Sequence, residues 1–391
     1  MKIKSMLLFS AMSFIAIMTH SCVEPFEIET ETFESILIVE GVITDEFKQQ
    51  EVLVSKTFRI EESTINGESD AEVKVVDDQQ NEYTFQETDP GKYVSILPFS
   101  AESGRSYQLF IKTRDGNSYT SESGTLPQKA IIDNVYAERI INDKGVDGIS
   151  IFTDSSSPED GILYYRYEYE ETYQIIPPFW SGLDLNIVSE DPPEVSVVPR
   201  IREERVCYKT DLSNAIILSN TDNLSENSII RFPVRFIEKD NPILRSRYSI
   251  LVRQMTQSRD AQIFYETLRE FSDPESLFSQ TQPGFISGNI SSTDNPEEKI
   301  LGYFGISSVA SKRVFFNFRD LFSNETRPPF FVSCNLVEVE FSDITAIIGF
   351  IKAKLKLVAV DNINSLYIIV PQICGDCNVL GSNIVPDFWE D

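Results

Sequence analysis

The chain has 391 residues, 61 of them acidic and 34 basic, for a formal net charge of −27 at pH 7. A surface this acidic repels nucleic acid and anionic headgroups. Apolar content of 41%, with 27 Phe and 15 Tyr, excludes a disordered chain, and the length suits about two domains.

Lys2 and Lys4 precede an apolar run from Met6 to Met18, closed by Thr19-His20-Ser21-Cys22. A basic start, a short apolar stretch and a small residue before a cleavage point describe a secretory signal peptide over 1–21. The run is too short to span a bilayer, which needs about 20 apolar residues. Cys22 stands where a bacterial lipoprotein is cleaved and acylated, so it is the expected lipid attachment residue. Loss of the leader removes Lys2 and Lys4 and no acid, which takes the charge from −27 to −29. The only histidine, His20, goes with it. The mature chain then has no Ser-His-Asp or Cys-His arrangement, no histidine-zinc site and no histidine general base. Carboxylate-only chemistry such as glycoside hydrolysis and oxygen-ligated calcium stay open. No catalytic motif, metal site or cofactor motif is read, and the expectation is a protein that is not an enzyme.

Residues 22–35 form an acidic tether: Glu24, Glu27, Glu29, Glu31 and Glu34 precede the first base, Lys48. Like charges extend such a segment by self-repulsion. From Ile36 the pattern turns to short β runs at 36–44, 51–58, 71–76, 82–86, 92–96, 105–113 and 117–122. Turn signals at Asn66-Gly67, Asp77-Asp78, Asp89-Pro90-Gly91 and Asp115-Gly116 separate them. Seven strands in so short a stretch predict an immunoglobulin-like β-sandwich over 36–128, without the cysteine pair of antibody domains.

A larger β-rich domain with one inserted helix is expected over 129–391, so the fold class is mainly β. In Tyr164-Tyr165-Arg166-Tyr167-Glu168-Tyr169-Glu170, the alternation puts Tyr165, Tyr167 and Tyr169 on one face, read as core rather than as a sugar-stacking ladder. An irregular segment with Pro177-Pro178-Phe179-Trp180 and Pro192-Pro193 follows. Trp180, with Phe179, is either an exposed contact or a staple for the loop. Strands are predicted at 204–210, 228–238 and 247–257. Ser258 then caps a helix whose Ala261, Phe264, Tyr265, Leu268 and Phe271 recur at helical spacing until Asp273-Pro274. Further strands are predicted at 284–290, 300–306, 313–318 and 366–370. Over 344–360, Lys352, Lys354 and Lys356 alternate with Ala353, Leu355 and Leu357, which reads as a strand with a charged outer face.

Four cysteines remain in the mature chain: Cys207, Cys334, Cys374 and Cys377. An even set in an exported protein predicts two disulfides, with three pairings. Cys374-Gly375-Asp376-Cys377 without a second CxxC is a weak redox or zinc signal, and a CxxC ring is geometrically awkward. The expectation is two longer-range bridges that pin the C-terminal segment.

The sequence resembles the lipoproteins of the Bacteroidetes grouped as the domain-of-unknown-function 4249 family. The resemblance is carried by Cys22-Val23-Glu24-Pro25-Phe26, Ile38-Val39-Glu40-Gly41-Val42-Ile43-Thr44 and Asp115-Gly116-Asn117-Ser118-Tyr119. Cys207-Tyr208-Lys209-Thr210, Arg247-Tyr248-Ser249-Ile250, Gly288-Asn289-Ile290 and Ile300-Leu301-Gly302-Tyr303-Phe304 extend it. Cys374-Gly375-Asp376-Cys377 and Pro386-Asp387-Phe388-Trp389 complete it. Tyr208 and Ser292 depart from the family pattern, which has Trp and Cys there. Acidic residues behind the lipidated cysteine resemble the signal that sends such lipoproteins to the outer face of the outer membrane. The resemblance implies a surface-exposed lipoprotein encoded beside a TonB-dependent transporter, with no established activity and no catalytic residue. The functional expectation is a non-enzymatic accessory or substrate-capture partner of that transporter, with an unknown nutrient ligand. A carboxylate-dependent surface glycosidase and an adhesin or structural surface protein are the alternatives.

Overall fold

Alternating burial builds the first sandwich. In a computed structural model, which describes residues 35–58, 66–157, 161–222, 224, 227–272 and 285–390, strands Leu37–Thr44, Glu51–Lys56, Glu72–Asp77 and Ser106–Lys112 each bury every second side chain. The expected signal peptide, Cys22 and the expected tether up to Glu34 lie outside the described residues. With the two-residue strand Asn66–Gly67 set aside and the rest lettered in chain order, the neighbours run A-B-E-D (37–44, 51–56, 92–95, 82–89). They continue C-F-G (72–77, 106–112, 118–121). That is the Greek-key order of an immunoglobulin-like sandwich. Val39, Val52, Val54, Val75 and Leu109 are among the side chains buried between its faces. The Asp77-Asp78 turn is organised by the Asp77 carboxylate. It accepts from the backbone N–H of Gln79 and Asn81, both at 2.9 Å, and pairs with Arg105.

A second sandwich follows. Strands Ile131–Ile141, Asp147–Ser156 and Ser228–Glu238 form one antiparallel sheet. It packs on Cys207–Leu212, Tyr164–Ile175, Arg247–Gln257 and the second half of Ile300–Asn317. Tyr165, Tyr167 and Tyr169 are buried in its core, as their alternation predicts. The helix is Arg259–Ser272, and the hydroxyl of Ser258 accepts from the N–H of Ala261 at 3.1 Å as its cap.

A third layer, at the C-terminal end, corrects two expectations. The segment expected as one strand over 344–360 is a helix, Ile344–Lys352, and then a strand, Lys356–Asp361. Asp343 caps the helix through Ala346 N–H, and Ile347 and Ile351 share its inner stripe. Only the last part of the lysine alternation is strand. The segment read as irregular holds a hairpin, Leu183–Glu190 with Pro193–Pro199, turning at Asp191-Pro192. Its Leu185, Val195 and Val197 pack against the helix and the sheet made of Val337–Glu340, Leu366–Val370 and Lys356–Asp361. Strand 147–156, absent from the sequence reading, is buried on both faces and shows no alternation to read.

The two strands expected at 300–306 and 313–318 are one, Ile300–Asn317, of 18 residues, about 60 Å long at strand rise. Its first part pairs in parallel with Leu37–Thr44 in the first sandwich. Its second part pairs antiparallel with Arg247–Gln257 in the second. The core of the first sandwich therefore includes Ile290, Ile300, Phe304 and Ile306, all from the stretch assigned by sequence to the second domain. The strand expected over 284–290 starts only at Ile290 and runs to Ser292, and residues 273–284 lie outside the described residues.

Asn289 and two glycines explain the family motifs here. The Asn289 side chain accepts from Phe304 N–H and donates to Phe304 C=O, both at 2.8 Å, as a strand neighbour would. Gly302 has φ +140°, and a Cβ there would stand 1.9 Å from the Val39 oxygen. A Cβ on Gly288 would stand 1.4 Å from the Gly302 oxygen. Asn289→Ala leaves both Phe304 backbone groups unpaired in a half-buried site. The expected loss is about 2–4 kcal/mol, read as a lower urea midpoint at constant m-value. An unchanged midpoint would show that the side chain does not close the ladder.

Candidate functional site

The strand that buries three tyrosines on one side presents Arg166, Glu168 and Glu170 on the other. Register places Met255, Arg253 and Leu251 opposite them on the neighbouring strand, and Ser311 and Arg313 beyond. This outer face forms the floor of a groove of about 690 Å³. Glu40, Lys48 and Glu51 of the first sandwich line one wall, and Tyr265 of the helix another. A smaller cavity of about 390 Å³ continues it along Gly41, Val42 and Gln49. The groove thus lies where the two sandwiches and the helix meet.

Its charges are mostly matched. Arg166 pairs with Glu168 at 3.2 Å and stacks over the Tyr265 ring at 4.5 Å. Burial pushes the Tyr265 hydroxyl up, against the lowering effect of Arg166. Glu170 takes Arg313 at 2.7 Å and Glu51 takes Lys92 at 3.1 Å. Glu46 receives Lys48 at 2.8 Å and Arg253 at 2.6 Å. Burial alone would raise its carboxyl, but those bonds and charges bring it below the usual carboxylate range. Two donors are left over: the Nε–H groups of Arg166 and Arg253 are buried and have no partner among the described residues. Chemically the groove offers guanidinium groups, an aromatic ring and ordered carboxylates, a set suited to a polar ligand. Sequence reasoning missed it because its walls come from distant strands; the one local signal is the Arg/Glu face opposite the tyrosines.

The sequence-predicted residues gather elsewhere, at the C-terminal layer. Cys207 bonds Cys377, and Cys334 bonds Cys374. These are the two longer-range bridges, and the CxxC residues belong to different disulfides. With its cysteines 170 positions apart in sequence, the first constrains the unfolded chain by about 5 kcal/mol in the loop-entropy model. Trp180 and Phe179 are not freely exposed: both are half-buried. The Phe179 N–H donates to the Cys374 carbonyl at 3.1 Å, and Arg205 lies over the Trp180 ring at 5.5 Å. Tyr208 meets Trp389 edge to face at 4.8 Å, which joins two further family motifs. Ser292 is buried, and its hydroxyl accepts from Asn295 N–H at 3.1 Å.

Between the hairpin and the C-terminal sheet lies a buried charge cluster that sequence reasoning also missed. The Arg200 and Glu204 side chains, 3% and 7% exposed, pair at 3.2 Å. Lys356 holds Glu204 and Asp184, each at 3.0 Å. Arg200 also donates to the carbonyls of Gly375 at 2.6 Å and Leu357 at 3.1 Å. Asp376 sits 4.0 Å from Lys356. Burial works to raise its carboxyl, but bonds from Gln372 and from Asn378 backbone and side chain, with the Lys356 charge, lower it overall. Among the described residues, no group of three or more His, Cys, Asp and Glu is placed to hold a metal ion. No helix there is long and apolar enough to cross a membrane.

A family model described as domain of unknown function DUF4249 matches residues 23–313. No curated protein matches the chain. Among solved structures, the crystal structure of a DUF4785 family protein from Legionella pneumophila is similar at 10% identity with a TM-score of 0.17. That likeness covers 56% of this chain and 52% of the other, so it spans about half the length of the Legionella protein.

The Asp376 shift has a signed consequence. Its folded value lies below the unfolded one of about 3.9, so its stabilisation is full above that value and is lost as pH falls through the folded value. Asp376→Asn is expected to lower stability by about 2 kcal/mol at pH 7. The gap to the unsubstituted protein should close below about pH 4. Urea unfolding across pH 3–7 measures it, and a gap that widens on acidification would contradict the assignment.

Proposed function

The chain belongs to the family described as domain of unknown function DUF4249, and we propose that it is a non-enzymatic lipoprotein of the outer-membrane surface that captures a nutrient ligand for a TonB-dependent transporter. The groove between the sandwiches carries the binding half of this reading. Arg166 and Arg253 line it with buried Nε–H groups that have no partner among the described residues, and Arg166 stacks on Tyr265, while Glu46, Glu51, Glu168 and Glu170 are ion-paired. Acids held in ion pairs order a surface and are poorly placed to give up or take a proton in turnover. The location half is supported by the expected leader, which ends just before Cys22, and by the acidic residues that follow it. The net negative charge gives no long-range attraction to an anionic membrane surface, which favours an acyl anchor and a protein partner as its main contacts. The disulfides and the shared strand favour a rigid body, which suits docking more than large closing motions.

Affinity capture of the tagged lipoprotein from gently solubilised outer membrane is expected to bring a TonB-dependent transporter with it. Recovery of the lipoprotein alone at every detergent concentration would sink the partnership. Cys22→Ala is expected to move the protein from the membrane fraction to the soluble one on fractionation. Full membrane retention of that variant would refute the acyl anchor.

A further inference from the structure

Four arginines converge on one cavity of about 350 Å³ at the far end of the central sheet. Arg245 and Arg247 flank Ser246 at the start of strand 247–257. Arg319 lies just after the long strand, and Arg327 in the segment that follows. Gln174 and Asn317 add neutral polar groups. Gln174 is eight positions along its strand from Arg166, about 26 Å at strand rise, so this cavity is separate from the groove.

The chain has 61 acids and 34 bases, and many arginines pair with carboxylates, among them Arg105, Arg139, Arg166, Arg200, Arg235 and Arg313. Among the described residues the four at this cavity make no ion pair, as is also true of the scattered Arg202, Arg205, Arg259 and Arg269; what sets the four apart is that they share one cavity. Arg245 donates to the carbonyl of Pro328 and Arg247 to the carbonyl of Glu390. Arg319 and Arg327 are exposed, and their guanidinium groups have no hydrogen bond or ion pair among the described residues. The single acid of the lining, Asp320, is exposed and already accepts from the backbone and side-chain amides of Asn317 at 2.7 and 3.2 Å. Burial, and then the like charge of Arg327, push the Arg245 guanidinium below its usual value. Four cations gathered around a single acid repel one another and are held there by the fold. Such an arrangement is relieved by an anion from outside.

We propose that this cavity binds a phosphoryl group, carried by a soluble phosphate ester or by a lipid headgroup. A dianion offsets the local excess of positive charge better than a single carboxylate. Its tetrahedral oxygens can also accept forked donation from guanidinium groups arriving from three directions. Gln174, Ser246 and Asn317 supply the uncharged hydrogen bonds that orient such a group. This site stands apart from the groove and does not depend on the transporter reading.

The test uses the mature chain with Cys22→Ala, so that no acyl group contributes, and the same chain with Arg319→Gln and Arg327→Gln. Calorimetry with inorganic phosphate and glycerol phosphate forms one arm. Co-sedimentation with phosphatidylcholine vesicles, with and without phosphatidic acid, forms the other. Saturable binding in at least one arm is expected, weakened at least tenfold by the double substitution, with an unchanged thermal unfolding midpoint. Saturable binding to the soluble probes identifies a soluble ester. Binding that needs phosphatidic acid vesicles identifies a lipid headgroup. Each single substitution should give a partial loss, which keeps the test decisive should the double variant misfold. No saturable binding in either arm, or binding within twofold of the parent after substitution, overturns the proposal.

Discussion

One backbone ladder holds this molecule together: the hydrogen bonds made by Ile300–Asn317 along both of its edges. A strand of ordinary length belongs to one sheet. This one is long enough to enter the first sandwich as a parallel neighbour of Leu37–Thr44 and leave through the second as an antiparallel neighbour of Arg247–Gln257. Parallel pairing cannot be made by a short turn, so the first sandwich is completed only after the chain has passed through most of the second. Its closing strand arrives more than 250 residues after its first. The contact order is high, and ordering of the N-terminal core waits on residues near 300. The tight approach of Gly302 to Val39, and the side-chain ladder of Asn289, are local conditions for that one pairing.

The groove follows from the same geometry. A sheet shared by two sandwiches has an inner face in each core and an outer face left over where they meet. Strict alternation in Tyr164–Ile175 sends tyrosines to the first and Arg166, Glu168 and Glu170 to the second. The helix Arg259–Ser272 covers part of the outer face, with Phe264 and Tyr265 against Tyr303 of the long strand. What remains open is floored by the sheet and walled by Glu40, Lys48 and Tyr265. Rigid elements rather than loops therefore supply its main contacts, and long-range pairing keeps them in place.

Much of the fold was legible because most strands bury one face. Period two survives in 37–44, 72–77, 106–112 and 164–169, and the strand boundaries at 228–238, 247–257 and 366–370 are those read from sequence. Legibility failed where burial is two-sided, as in Asp147–Ser156, whose near-continuous burial hides the period. It failed again at 344–360, where three alternating lysines in the second half coloured the reading of an apolar, capped helix in the first. The hairpin at 183–199 is hidden by its prolines and by weak burial on both faces. Of the site residues, the cysteines were legible as an even set, while the partners of each were a matter of tertiary distance. The groove and the arginine cavity were not legible, because their members are brought together by sheet order and not by spacing along the chain.

The placement of charge completes the picture. Buried ion pairs often add little net stability over an apolar replacement, because desolvation offsets the attraction. Their use lies in registry, since only one arrangement satisfies all members. The Arg200–Glu204–Lys356–Asp184 cluster joins the hairpin, the loop before Cys207 and the C-terminal sheet. It does so beside the disulfides that tie the same parts covalently. Arg235, Glu171 and Tyr248 do the same across the second sandwich, with the Tyr248 hydroxyl 2.6 Å from the Glu171 carboxylate. In a chain with nearly two acids per base, pairing is the commoner state of a cation. Cations kept from acids therefore carry more information than cations paired with them. Arg245, Arg247, Arg319 and Arg327 are kept apart at one cavity by elements whose positions the rest of the molecule fixes. The acidity of the whole makes that separation a feature of the architecture and not of composition.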